Sequence, residues 1–158
     1  MIDLSMAGNA DEALALSLLK AMEDGDLPAK IEALCTDDFV WANSGLPTLS
    51  GKAAVQAHME AGGFAREIPI LATMTSFSAD VLHIASRGGV VFTERVDHHW
   101  DADGRDLMTP HIAGVIEIRN GRIAALRDFY DVACYAQQPT APNPDHAMVN
   151  ARNEGELS

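Results

Sequence analysis

The sequence predicts an α+β domain: one curved, antiparallel or mixed sheet with N-terminal helices packed on its concave side. Three observations lead there. Helical periodicity is confined to the stretch before Gly62-Gly63, strand-like alternation runs from Ile68 onward, and the later segments are joined by turns only two or three residues long. Such turns join antiparallel neighbours, so helices followed by a meander give segregated layers.

Asp11–Glu23 reads as a helix with Leu14, Leu18 and Ala21 or Met22 on one face, Asn9 as N-cap and Gly25 as its end. Pro28 suits the first turn of a second helix with Ile31, Leu34 and Cys35 inward. Asp38–Asn43 reads as a short strand with Phe39, Trp41 and Asn43 on one face. A loop over 44–48 follows, and Ser50 is the expected cap of a helix reaching about Ala61. Five strands are expected after that: 68–78, 81–86, 90–100, 107–118 and 122–130. Their turn signals are Gly88-Gly89, Asp103-Gly104 and Asn120-Gly121. The domain is expected over 1–135, with 136–158 as a polar C-terminal arm.

Composition excludes whole classes. The 158 residues carry 11 Lys+Arg against 23 Asp+Glu, a formal net charge of -12. Such a chain lacks the basic patch that draws proteins to nucleic acid or anionic lipid, so neither is expected as a partner. No apolar run approaches the ~20 residues that span a bilayer, and the start has no signal-peptide pattern, so a cytoplasmic protein is expected. Cys35 and Cys134 are too few for a disulfide framework or a zinc site and read as small buried hydrophobes.

The informative stretch is Thr93-Glu-Arg95-Val-Asp97-His98-His99, which carries charge on both faces of a strand. Arg95 and Asp97 point the same way as Val91; burying them together requires that they pair with each other and with further polar groups. A two-residue turn at Asn120-Gly121 sets Ile118 opposite Ile123, Ala113 opposite Asp128 and His111 opposite Tyr130, with Val115 and Leu126 on that face. A three-residue loop at 102–104, Gly104 left-handed, sets Asp97 opposite Thr109 and Arg95 opposite His111. Arg95, Asp97 and Asp128 then share one face of three strands. A two-residue loop would flip the first strand and leave an ordinary surface ion pair.

One guanidinium cannot neutralise two nearby carboxylates equally, so one carboxyl stays protonated while the other ionises. Such a pair could open a strained ring in one step, the acid protonating the leaving oxygen while the base deprotonates a water oriented by the amide of Asn43.

Trp41-Ala-Asn43, Arg95-Val-Asp97 and Arg127-Asp128-Phe-Tyr-Asp131 together resemble the limonene-1,2-epoxide hydrolase family, and the likeness in element order runs from Asp11 to Tyr135. That resemblance implies the cone-shaped, cystatin-like fold shared with nuclear transport factor 2, ketosteroid isomerase and SnoaL-type polyketide cyclases. It implies that Asp97 protonates the epoxide oxygen, Arg95 bridges the carboxylates, Asp128 activates water and Asn43 holds it. The family has a tyrosine at Trp41 and a tryptophan at Leu126. An indole N–H only donates, so Trp41 could hold a water lone pair through a bulkier group; Leu126 keeps the pocket wall apolar but opens space.

The expected activity is addition of water to an apolar cyclic or terpenoid epoxide, with no cofactor and no metal. The rivals are a proton-transfer isomerase or cyclase of the same fold and a non-catalytic ligand cup. Tyr130, His111, Trp41 and Leu126 are the expected pocket residues. His98 and His99 face opposite ways and cannot share a metal; the methionines, Met59, Met74 and Met108 among them, read as ordinary core. A homodimer is expected through the outer sheet face, using Met108, Ile112, Ile116 and Ile118.

Overall fold

Apolar residues three and four apart make Ala10–Asp24 a helix, α1, with Leu16, Leu18 and Leu19 buried. Asn9 caps it by accepting from the Glu12 amide, and Gly25 ends it in the left-handed conformation. Helix α2, Leu27–Leu34, opens on Pro28. Strand β1 (Cys35–Asn43) and the two-residue β2 (Leu49–Ser50) precede helix α3 (Lys52–Glu60). Strands β3 (Met74–Arg87), β4 (Val90–Asp101), β5 (His111–Arg119) and β6 (Arg122–Phe129) complete the chain of elements. This computed structural model describes residues 1–146. Among them no helix is long and apolar enough to cross a membrane.

The six strands lie in the order β2-β1-β6-β5-β4-β3, with β1 parallel to β6 and every other pair antiparallel. The mixed α+β architecture is the expected one. Several boundaries differ. Cys35 does not lie on the inward face of α2 but opens β1, three residues before the expected start, because it pairs with Ile123 in the sheet. Ser50 pairs with Val40 in the sheet, so its backbone is extended and it does not cap α3. Residues Pro69–Thr73 form a 3-10 turn, for which the fixed φ of Pro69 is suited, and the two strands expected over 68–86 are one, because Ala79 and Asp80 continue the ladder opposite Asp97 and Val96. Residues 107–110 are irregular, since Pro110 has no N–H for a ladder.

The register of β5 is the instructive departure. The three-residue loop at 102–104 is present: the Asp101 amide donates to the Arg105 carbonyl and Gly104 has φ 72°. Beyond it the pairing slips by one residue in the irregular stretch, so that Val96 faces His111 and Arg95 faces Ile112. On the other side Ile118 faces Ile123, as the turn dictates, but a bulge then sets Glu117 opposite Ala125 and Gly114 opposite Asp128. Both slips move β5 the same way, so β4 and β6 keep their expected relation while β5 turns over between them. Thr93, Gly114 and Asp128 now lie abreast where Thr93, Ala113 and Asp128 were expected.

A one-residue slip exchanges the faces of a strand, and here it buries Ile112 and Ile116 while sending the polar His111 outward. Two expectations fall with it. His111 is not in the pocket; it is exposed, with Nε2 2.8 Å from Glu94. Ile112, Ile116 and Met108 are buried and Ile118 is packed on the core, so they form no outer patch. The outer face instead presents Phe92 and Phe129, 50% and 53% exposed.

The segment after Tyr135 lies against the 103–106 loop: Thr140 donates its amide to the Asp106 carbonyl, and the His146 ring sits 3.8 Å from that of Trp100. The rest of the expected arm, 147–158, lies outside the described residues.

Candidate active site

Alternation along β4 sends Val91, Thr93, Arg95 and Asp97 to the inner face, and all four are buried. Arg95, 1% exposed, is the bulkiest fully buried side chain. Its Nε donates to Asp97 Oδ1 at 2.8 Å and its Nη2 to Asp97 Oδ2 at 3.2 Å. On its other edge Nη1 donates to Asp128 Oδ1 at 3.0 Å and Nη2 to Asp128 Oδ2 at 2.6 Å. One planar fork thus serves two carboxylates at once, which a lysine could not do.

The guanidinium has room because β5 contributes a glycine beneath it. A Cβ on Gly114 would stand 2.5 Å from Thr93 Oγ1, 2.6 Å from Arg95 Nη1 and 3.2 Å from Asp128 Oδ1. Gly114 is one site residue that sequence reasoning missed. The signal was available: a lone glycine in a strand interior, between Ile112 and Val115, marks a close approach by something else.

Two carboxylates against one cation leave an uncompensated negative charge in a buried place. Burial raises the Asp97 carboxyl to about 6, with the Asp128 charge adding to the rise and Arg95 opposing it. Burial also works against the Arg95 charge, but its two carboxylate partners outweigh it and hold the guanidinium above its ordinary value. The shortest contact in the cluster is from Arg95 Nη2 to Asp128. Two copies of the same side chain thus share one guanidinium in a buried place.

Asp97 and Asp128 open into a cavity of about 300 Å³. Its walls are mostly apolar, including Met22, Met59, Met74 and Met108; of these, Met22, Met59 and Met108 also belong to the core, as expected. Trp41 and Asn43 reach it from β1, where Asn43 is the register partner of Asp128. Trp41 meets Phe64 edge-on, ring centroids 5.0 Å apart. Among the described residues, Trp41 Nε1 and Asn43 Nδ2 are buried donors without partners. Tyr130 lines the cavity, with its hydroxyl 3.2 Å from Asn43 Oδ1 and 2.7 Å from the hydroxyl of Tyr135. His99, also on the wall, is held by the Met108 carbonyl at 2.7 Å, and burial lowers its pKa, which favours the neutral imidazole.

Asp97, Arg95, Asp128, Asn43, Trp41 and Tyr130 are therefore gathered at one place. Leu126 is not: it is fully buried in the core and does not face the cavity. Its register partner Trp41 occupies the wall instead. Tyr135 went unnoticed because it follows the last strand, where alternation carries no information.

The fold has clear relatives among solved structures. An LEH-like epoxide hydrolase from M. tuberculosis superposes with a TM-score of 0.64 at 20% identity, covering 94% of this chain and 97% of that one. A putative SnoaL-like polyketide cyclase from Jannaschia sp. CCS1 gives 0.65 at 12% identity, covering 85% and 94%. An NTF2-like protein of unknown function from Burkholderia pseudomallei K96243 gives 0.62 at 17% identity, covering 79% and 93%. Identities this low speak for the fold alone. The model of the limonene-1,2-epoxide hydrolase catalytic domain matches residues 11–139, so the chain belongs to that family.

Proposed function

We propose that this protein is an epoxide hydrolase that adds water to an apolar cyclic or terpenoid epoxide in a single acid/base step. The observation that carries the reading is Arg95 bridging two buried carboxylates, one of them with its pKa raised by burial, at the wall of an apolar cavity. Asp97 gives its proton to the ring oxygen as the carbon–oxygen bond breaks. Asp128 takes a proton from a water whose oxygen bonds to the ring carbon. The product is a vicinal diol; Asp97 ends ionised and Asp128 protonated, and exchange with solvent restores both. Arg95 stays charged throughout and limits the cost of each change.

The test is diol formation from a panel of cyclic and terpene epoxides in ¹⁸O-labelled water, with protein in excess. Label in the diol at the first turnover supports direct attack by water. Unlabelled first-turnover diol means that a carboxylate of the protein attacked instead, and no diol from any epoxide ends the reading.

A second reading has its own observation. Two unpartnered buried donors, Trp41 Nε1 and Asn43 Nδ2, would suit a carbonyl oxygen becoming an enolate, with Asp128 abstracting a carbon-bound proton. Deuterium uptake into an added ketone without diol formation would favour such an isomerase or cyclase. For either chemistry we place the homodimer on the outer face around Phe92 and Phe129, where gel filtration of Phe92→Glu against the parent tests it.

A further inference from the structure

The hydroxyl of Tyr135 donates to the carbonyl oxygen of Ser44, which has no proton to return. A hydroxyl carries one proton, so the 2.7 Å contact between Tyr135 and Tyr130 must be made with the proton of Tyr130. Tyr130 then has only a lone pair left for Asn43. An amide carbonyl facing that lone pair is repelled, whereas an amide N–H₂ is a partner for it. The same turn of the amide ends the isolation of Asn43 Nδ2, which otherwise is buried with no acceptor among the described residues. The two ends of an asparagine amide differ by an exchange of nitrogen and oxygen, and their hydrogen-bond partners decide between them.

We propose that Tyr135 and Tyr130 are positioning residues: passed from Ser44 through both hydroxyls, their hydrogen-bond chain turns the Asn43 amide so that Nδ2 faces Tyr130 and Oδ1 faces the reacting water beside Asp128. This rests on the epoxide hydrolase reading for its consequence, though not for its geometry. A water held there gives one proton to Asp128 and one to Asn43 Oδ1. Its oxygen keeps two lone pairs, one for the Trp41 indole N–H and one for the ring carbon. With the amide the other way round, Asn43 and Trp41 would both donate to the oxygen, and no lone pair would remain for attack. The tyrosine chain therefore selects water activation over enolate stabilisation at the same site.

Neutron diffraction from crystals of the protein exchanged into D₂O reads the arrangement directly. The expected map puts the Tyr130 deuteron toward Tyr135 and the two Asn43 deuterons on the nitrogen facing Tyr130. A Tyr130 deuteron pointing at an Asn43 oxygen overturns the proposal. In Tyr135→Phe the proton of Tyr130 is released to Asn43, so the amide should turn back. Its kcat for epoxide opening should then fall about tenfold or more, KM staying within about twofold. An unchanged kcat in a variant whose amide has turned also overturns it. Should Tyr135→Phe not fold, Tyr130→Phe and the parent map still decide. If the parent makes no diol at all, the hydrolase reading fails while the deuteron positions still judge the tyrosine chain.

Discussion

Two cross-strand ion pairs lie back to back on the two faces of this sheet. On the inner face Arg95 of β4 holds Asp128 of β6 across Gly114; on the outer face Arg127 of β6 holds Glu117 of β5. Their components are alike, and Asp128 is the next residue to Arg127. Only the surroundings differ. The inner pair is buried with a second carboxylate, so charge has to be rationed by a shifted pKa. Both members of the outer pair are about one third or more exposed, so water screens whatever they do. On the proposed reading, reactivity comes from where the sheet places a carboxylate.

The strongest way to break this comparison is to remove the inner carboxylates one at a time. Asp97→Asn removes the proposed acid and Asp128→Asn the proposed base, and each should lower kcat/KM by about 10²–10⁴-fold with the circular dichroism spectrum unchanged. If either variant keeps its activity, that residue leaves the mechanism. Gly114→Ala comes next. Its methyl group would enter the space of Arg95 Nη1 and Thr93 Oγ1. It should destabilise the fold by about 1–3 kcal/mol in urea denaturation and cost at least tenfold in kcat/KM. Ala113→Ser, one residue away on the outer face, should do neither.

That contrast between neighbouring residues also shows what could be read before any coordinates. Helix α1 was legible because cap and periodicity agree, from Asn9 to Gly25, and the start of α2 was legible from Pro28, although Cys35, read onto its inward face, opens β1 instead. The inward face of β4 was legible because Arg95 and Asp97 share the phase of Val91. The face of β5 was not. Its turn at Asn120-Gly121 was read correctly, but the bulge at Ala124 and the slip before His111 come from burying Ile112 and Ile116, a tertiary demand that no turn dipeptide records. The two slips act in the same direction, so the flanking strands kept their relation and Arg95, Asp97 and Asp128 met as expected. His111 lay on the strand that moved. Tyr135 lay beyond the last strand, where its hydroxyl partners depend on the path of the whole 130–136 segment.

A change of pH sharpens the comparison with a smaller effect. The proposed acid must be protonated to act, and burial puts Asp97 at about 6, so kcat/KM should fall as pH rises above about 6, approaching tenfold per pH unit. Stability should move as well. Between 3.8 and about 6 the folded protein keeps the Asp97 proton while the unfolded chain has released it. Folding is therefore favoured at the acid end, loses up to about 3 kcal/mol across that interval, and shows no further change from this group above it. Other carboxylates titrate in the same range, which makes the informative quantity the difference in urea midpoint between the parent and Asp97→Asn from pH 4 to 7. That difference should shift in favour of the variant as pH rises, and a constant difference would return Asp97 to an ordinary carboxylate.

The smallest expected effect is on the outer face. Removing Arg127 in Arg127→Ala frees Glu117, which is already open to water, so the cost should be within about 0.2–1 kcal/mol and should shrink at high salt. kcat/KM should stay within about twofold, although the substitution is adjacent in sequence to the proposed base. The reason is geometric: successive side chains of a strand point to opposite faces, and the backbone of β6 that carries Asp128 is held by its ladders to β1 and β5, whatever side chain stands at 127. A large loss of activity in Arg127→Ala, with stability intact, would show that the two faces are coupled through β6 and that burial alone does not separate an active carboxylate from an inert one.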